Sequence, residues 1–361
     1  MSLPDHERVT ATAVDAGYTD LWTSEVNGFD AFTPLVLAAG WTPSGRLGTA
    51  IVPAFTRGPA LLAMSAAALA EVAPGRAVIG IGASSPAIVN QWNGLDFTDP
   101  FGHTRDMLRF LRKALAGELV DEEFPSFRVQ RFKLERPPEQ PPLLHLAALR
   151  PGMLRLAAAE ADGAILNWLA ASDVPKVTAE LAGAPDGFDV AARIFVCPTT
   201  DVAYARTAGK RMITAYLTVG AYAEFHRWLG REAELGPVWD AWAAGDRKGA
   251  LAAVPDDLVD ALVLHGTPAE VRAKLTEYVA NGVQTPVIAL VPAPGTEPLA
   301  AVRALSPAGG DSWGWPAGSS GATHGADRQD RRGHRLGAGH RRGARAAVRG
   351  GGRGGCGRRR S

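Results

Sequence analysis

The chain has 361 residues, 46% of them hydrophobic and 21% charged, with a formal net charge of +1 and two cysteines. That balance belongs to a globular protein with apolar material for a barrel-sized core, and it excludes a disulfide-stapled secreted scaffold; no stretch offers the roughly 18 uninterrupted apolar residues of a membrane span. The charge is unevenly placed, because twelve Arg, three Asp and no Lys from Asp311 onward give that segment +9 and leave −8 for the rest, a net acidic body with no general attraction for nucleic acid.

Met1-Ser2-Leu3-Pro4-Asp5 lacks the basic and apolar regions of a signal peptide, so a cytoplasmic location is expected. Residues 3–17 read as a helix, with Val9, Ala13, Val14 and Ala16 toward the core and Gly17 as its stop. A short strand, 18–25, ends on Glu25. A helix over 30–40, a strand over 46–53 and a helix over 58–71 follow. Residues 77–82 form an apolar run without a polar face, which suits a strand buried on both sides in a parallel sheet. Helices are expected over 86–92 and 100–117. The alternation pauses over about 118–142, where 127–134 reads as an outlying ribbon and the proline-rich 136–142 as a stiff connector, together an insertion. It resumes with a strand at 143–148, a helix at 151–161, a strand at 163–166, a helix after Ser172 and a strand at 191–197. A long helical stretch, 201–261, carries Tyr216, Tyr222, Phe225, Trp228, Trp239 and Trp242 and is expected to act as a lid. Thr267 caps a helix that starts at Pro268, and 285–291 closes as a strand.

Seven strands in one series with helices between them are closest to a (β/α)8 barrel, one strand short. The missing member is expected before Leu3, since the chain opens on a helix where a barrel opens on a strand. Residues 1–306 are therefore read as one barrel domain. Residues 307–361, rich in Gly and Arg with no apolar periodicity, are expected to be disordered. A solvated extension or an out-of-frame read-through fits that tail better than a nucleic-acid arm, because it has no Lys and no aromatics beyond Trp313 and Trp315. Cys197 and Cys356 are expected as free thiols.

The small residues Gly82, Ala83, Ser84 and Ser85, at the end of the 77–82 strand, allow a planar or phosphorylated ligand to approach the backbone, with Ser84 or Ser85 capping the next helix. Together with Asp15-Ala16-Gly17-Tyr18-Thr19-Asp20-Leu21-Trp22-Thr23-Ser24-Glu25, Asp30-Ala31-Phe32-Thr33-Pro34-Leu35, the strand Arg46 to Pro53 with Arg57-Gly58-Pro59, Ala161-Asp162-Gly163-Ala164 and His265-Gly266-Thr267-Pro268, this segment resembles the bacterial luciferase-like superfamily. Within it the resemblance is to actinobacterial oxidoreductases that use the deazaflavin coenzyme F420, and it runs over residues 3–292.

The resemblance implies a (β/α)8 barrel with its cofactor at the C-terminal strand ends. It implies a bulge and a non-prolyl cis peptide within Ala50-Ile51-Val52, behind the ring of the cofactor, with Ala50, Ile51 and Pro53 in the seat. Ser84 and Ser85 would lie along the cofactor beside Gly82 and Ala83, and Ala148, Arg150, Gly152 and Met153 would bring a helix start to its phosphate. Glu25 would face the mouth as an acid/base group. Relatives often carry His directly after this acid, whereas this chain has Val26 and then Asn27, so catalysis would fall to Glu25 or to Asn27 as a donor. Trp92, Asn93, Asn167 and Trp168 are candidates for the substrate pocket.

No metal site is expected, because the eight His show no ligand spacing, and no nucleophile elbow, phosphate loop or early dinucleotide fingerprint is present. The implied activity is hydride transfer between F420 and a small organic substrate. The alternatives are an FMN-dependent monooxygenase acting with molecular oxygen, or a non-catalytic flavin-binding relative. The expected partners are a small-molecule substrate and a second copy of the chain, with no nucleic acid and no membrane.

Overall fold

The computed structural model describes residues 2–307. The disorder expected for the Gly/Arg-rich tail concerns residues outside that range.

The chain runs α1 (Asp5–Asp15), β1 (Asp20–Thr23), α2 (Phe32–Trp41), β2 (Arg46–Pro53), α3 (Pro59–Val72) and β3 (Ala77–Gly82), then one π-helical turn (Ala87–Trp92), α4 (Pro100–Leu115) and the strands β4 (Val120–Phe124) and β5 (Phe127–Phe132). It continues with β6 (Leu143–Ala147), α5 (Pro151–Glu160), β7 (Gly163–Asn167), α6 (Val174–Ala179) and β8 (Asp189–Cys197). Five helices follow: α7 (Val202–Leu217), α8 (Gly220–Leu229), α9 (Glu232–Ala243), α10 (Arg247–Ala253) and α11 (Asp256–Leu262). The chain then forms β9 (Val263–His265), α12 (Pro268–Ala280), β10 (Thr285–Leu290) and α13 (Pro298–Ala304).

The strands form a parallel sheet in the order β1-β2-β3-β6-β7-β8-β10, with short β9 on β8 beyond the end of β7. This is a parallel α/β barrel with one position open. Among the described residues no strand joins β10 to β1. The ring of helices does close at that place: α1 packs on α13, the Tyr18 hydroxyl donates to the Val302 carbonyl at 3.1 Å, and Ser306 Oγ donates to the Ala16 carbonyl. The same contact explains which face of α1 is buried. Thr10, Thr12, Ala13 and Ala16 face inward, while Val9 and Val14 are only partly covered, so the small residues that admit a neighbouring helix outrank the larger apolar ones.

Alternate residues of each strand point into the barrel. At the N-terminal end, Arg46 of β2 donates to Asp20 of β1, to Asp189 of β8 at 2.9 Å and to Thr285 of β10 at 2.8 Å. One guanidinium thereby links both open edges of the sheet. In the middle layer the Trp22 ring lies over Gly48, where a Cβ would come within 2.4 Å of it, and His145 occupies the space beside Gly163. At Gly80 a Cβ would meet the Thr49 carbonyl oxygen at 2.1 Å. Glycine on β2 and β7 is the condition for one tryptophan and one histidine to fill the lumen, and glycine on β3 the condition for its close approach to β2.

Outside the sheet, Leu62, Ala63, Ala66, Leu69 and Ala70 of α3 join Ile79 and Ile81 of β3 in a continuous core, the alanines letting helix and strand approach closely. A second cluster joins Trp168, Phe195 and Cys197 to Ile213 and Leu217 of α7, Val238 of α9 and Val259 and Leu262 of α11. The five-helix segment thus packs over the C-terminal ends of β7 and β8. Strands β4 and β5 form a separate antiparallel hairpin outside the barrel.

Candidate active site at the C-terminal strand ends

β2, β3 and β6 end in a patch of small residues. The Ala50–Ile51 peptide is cis, and Ile51 is an extra residue in the register of β2 against β3, a bulge at the place the sequence resemblance implies. Ala50 and Ile51 are partly exposed there, and Pro53 is buried. Gly82 is enclosed: a Cβ on it would meet the Ala147 methyl at 2.8 Å and Ile51 at 3.3 Å, so its smallness answers to packing inside the barrel. Ala83, Ser84 and Ser85 form the partly exposed rim, and Ser84 adopts a left-handed backbone (φ 69°) that turns the chain from β3 into the next turn of helix. Ser85 Oγ accepts from the Ile88 amide at 3.4 Å, a weak cap. Ala148 is buried and donates its amide to the Ile165 carbonyl.

Next to this patch begins α5. Its N-cap residue is Arg150, no side chain caps its first turn, and Pro151 brings no N–H. Helices leave their first amides without internal acceptors, so Gly152 and Met153 present unsatisfied N–H groups. Gly152 and Arg150 are exposed, and Arg150 forms no ion pair with any described residue. Uncapped amides, a free guanidinium and the partly exposed small residues Ala50, Ala83 and Ser84, with buried Ala148 behind them, fit a ligand with a planar ring and a phosphate.

Glu25 lies at the exit of β1, with its amide bonded to the Ile51 carbonyl. Its carboxylate accepts from Arg57 Nη2 at 2.8 Å and from the Ala31 amide at 3.1 Å, and Arg57 also lies over the Phe32 ring. Both side chains of the pair are less than one-fifth exposed. Asn27 is exposed on the same loop. Trp92 is 53% exposed, and the exposed Asn93 folds back on the preceding turn of helix, donating from Nδ2 to the Ile88 carbonyl at 2.8 Å.

On the opposite wall, Asn167 Nδ2 donates to the Tyr222 hydroxyl of α8 at 2.9 Å, tying the end of β7 to the helical segment. Burial pushes the Tyr222 phenol up to about 12, so it stays protonated. Trp168, at φ 56°, is fully buried with its ring centroid 4.2 Å from Phe195 and 5.1 Å from Tyr216. Arg193, inside the barrel on β8, lies over Phe195 at 4.8 Å.

The structure therefore brings Ala50, Ile51, Ala83, Ser84, Ser85, Arg150, Gly152 and Met153 to one side of the mouth and Asn167 to the other, with Ala148 and Trp168 buried behind them. Arg57 has a place in the sequence resemblance but no role there, and the sequence shows no sign of a role for Arg193, Phe195 or the stack of His103 on Phe55, whose ring centroids are 4.0 Å apart. Strand alternation was the available signal for Arg193, the one charge in the apolar run 190–197. Among the described residues no group of three or more His, Cys, Asp or Glu is placed to hold a metal, and no helix is long and apolar enough to cross a membrane.

The sequence profile of the family described as luciferase-like monooxygenase matches residues 1–285. A Mycobacterium tuberculosis protein named for coenzyme F420-dependent oxidoreductase activity is 29% identical over 331 residues, covering 82% of this chain and 94% of the relative. The 5,10-methylenetetrahydromethanopterin reductase of Methanolobus tindarius is 28% identical over 282 residues, covering 75% and 85%. Among solved structures, the coenzyme F420-dependent tetrahydromethanopterin reductase from Methanopyrus kandleri superposes with a TM-score of 0.69 at 24% identity, covering 85% of this chain and 94% of that one.

Proposed function

The chain belongs to the luciferase-like monooxygenase family, and from there we propose that it is a coenzyme F420-dependent oxidoreductase that moves hydride between the deazaflavin and a small organic substrate. The observation that carries this reading is the pairing of partly exposed small residues, Ala50, Ala83 and Ser84, with the uncapped start of α5 beside the free Arg150. The similarity to a protein named for F420-dependent oxidoreductase activity supports the choice of cofactor.

When bound, F420 supplies the two-electron chemistry as a hydride carrier. The protein's part is position and polarity. Ile51 and Ala50 would back the ring, Ser84 and Ser85 would offer hydroxyls along its edge, and the Gly152 and Met153 amides with Arg150 would hold the phosphate. Glu25 holds Arg57 and the start of α2 at the rim, and Asn27 offers an exposed amide on the same loop. Substrate would enter between this seat and Asn167 and Tyr222, which the buried Trp168 supports from behind, with Trp92 and Asn93 at the outer edge. The helices over 201–261 would exclude water from it as a lid.

The second reading is an FMN-dependent monooxygenase, which the family's description favours. Titrating the purified protein with F420 and, separately, FMN while following cofactor fluorescence distinguishes the two. Saturable F420 binding with weak or absent FMN binding upholds the proposal; the reverse order supports the monooxygenase, and binding of neither ends both.

A further inference from the structure

We propose that the substrate carries an anionic oxygen group, a carboxylate or a phosphate ester, on an apolar body, and that Arg193 receives it. This rests on the reading of the same mouth as a redox site and adds the class of molecule it takes.

Arg193 is at the centre of β8, opposite Asn167 of β7 and Val287 of β10, on the strand face that also carries Asp189 and Phe195. Its guanidinium lies over the Phe195 ring, is partly exposed, and forms no ion pair with any described residue. The other charges inside the barrel, Asp20, Arg46 and Asp189, are joined to one another at the N-terminal end. Asp189 is four residues down the same strand, roughly 13 Å away at the rise of an extended chain. Arg193 is thus a cation without a local counter-charge beside a connected aromatic cluster, in which the partly exposed Tyr216 and Tyr222 are backed by the buried rings of Trp168 and Phe195.

A guanidinium in such surroundings has lost part of its water and has gained only a ring face. The group that restores most of the loss is a planar or tetrahedral oxyanion, bound through two parallel N–H donors. The aromatic wall beside it suits an apolar body attached to that anion. The cofactor's own phosphate does not claim this position, because the free amides of α5 and Arg150 lie at the end of β6, two strands away in the sheet. An anion anchored on β8 would place the rest of the molecule between Arg193 and the floor at β2 and β3.

The test uses the full chain, with and without F420, and follows tryptophan fluorescence during titration with benzoate, octanoate and phenyl phosphate, with benzyl alcohol as the uncharged control. At least one anion is expected to bind saturably and more tightly than benzyl alcohol, a comparison that needs no variant. Arg193→Gln should weaken that binding about tenfold or more, as loss of a charge-assisted pair requires. Arg193→Lys should restore part of it, and benzyl alcohol should bind equally to all three proteins. The carboxylate and phosphate arms show which oxyanion the site takes. No anion binding to the wild type, or equal binding to Arg193→Gln, overturns the inference. Arg193-dependent anion binding in a protein that does not bind F420 would uphold the anion site and sink the redox reading.

Discussion

Arg46 and Asp189 meet at 2.9 Å although three strands lie between β2 and β8 in the sheet. The same guanidinium reaches Asp20 on one open edge and Thr285 on the other, and Thr285 Oγ1 in turn donates to Asp189 at 2.7 Å. Asp20 and Asp189 hold the Arg46 proton more firmly than usual against the desolvation that opposes it. Arg46→Met should therefore leave two mutually repelling, largely buried carboxylates and destabilise the fold by about 3 kcal/mol, reduced somewhat because Arg46 is itself about one-third exposed. Urea unfolding measures this; a loss under 1 kcal/mol would show that the edges are held elsewhere.

A second consequence concerns pH. His145 is fully buried in the lumen, 3.8 Å from Asp189, and burial pushes its imidazole down to about 4. The unfolded chain, with an ordinary imidazole near 6.5, takes up a proton that the folded one refuses, so stability falls as pH drops from about 6.5 to about 4 and this contribution is flat below that. At pH 5 the loss is about 2 kcal/mol. His145→Gln should flatten that part of the stability profile, whatever it does to stability at neutral pH; an unchanged slope between pH 7 and 5 would contradict the assignment.

The glycines of the middle layer make a third test. Gly80→Ala would drive a methyl into the Thr49 carbonyl and should cost about 2–3 kcal/mol, while Gly28→Ala, with nothing within 4 Å, should change stability by less than about 0.5 kcal/mol. Denaturant midpoints of the two variants give the comparison directly.

The barrel was legible in the sequence because its strands are short, largely apolar runs and its helices begin and end on chemical signals. Thr267 and Glu270 form a reciprocal cap, and Gly17 takes φ 84° just past the end of α1. Two kinds of element were not legible. β9 has only three residues, all buried, too few to show a period, and it is defined by pairing with Phe195–Cys197. β4 presents Asp121, Glu122 and Glu123 in a row, a sequence with poor strand propensity that is held by its pairing to β5. The site divides the same way. Small residues at strand ends announce a seat, but Arg57 and Arg193 acquire their meaning from partners far away in the chain, or from having none.

For the seat itself, Arg150→Gln should weaken F420 binding about tenfold, by removing one charge-assisted contact to phosphate, and should leave benzoate binding at Arg193 unchanged. Equal F420 affinity in variant and wild type would remove Arg150 from the phosphate site while leaving the ring seat to be judged separately.

The most direct measurement is a crystal structure of the protein soaked or co-crystallised with F420. The account places the ring against Ala50, Ile51, Ala83 and Ser84, with its phosphate at the amides of Gly152 and Met153. A deazaflavin bound with its ring away from the β2 and β3 ends, or its phosphate away from α5, would contradict it.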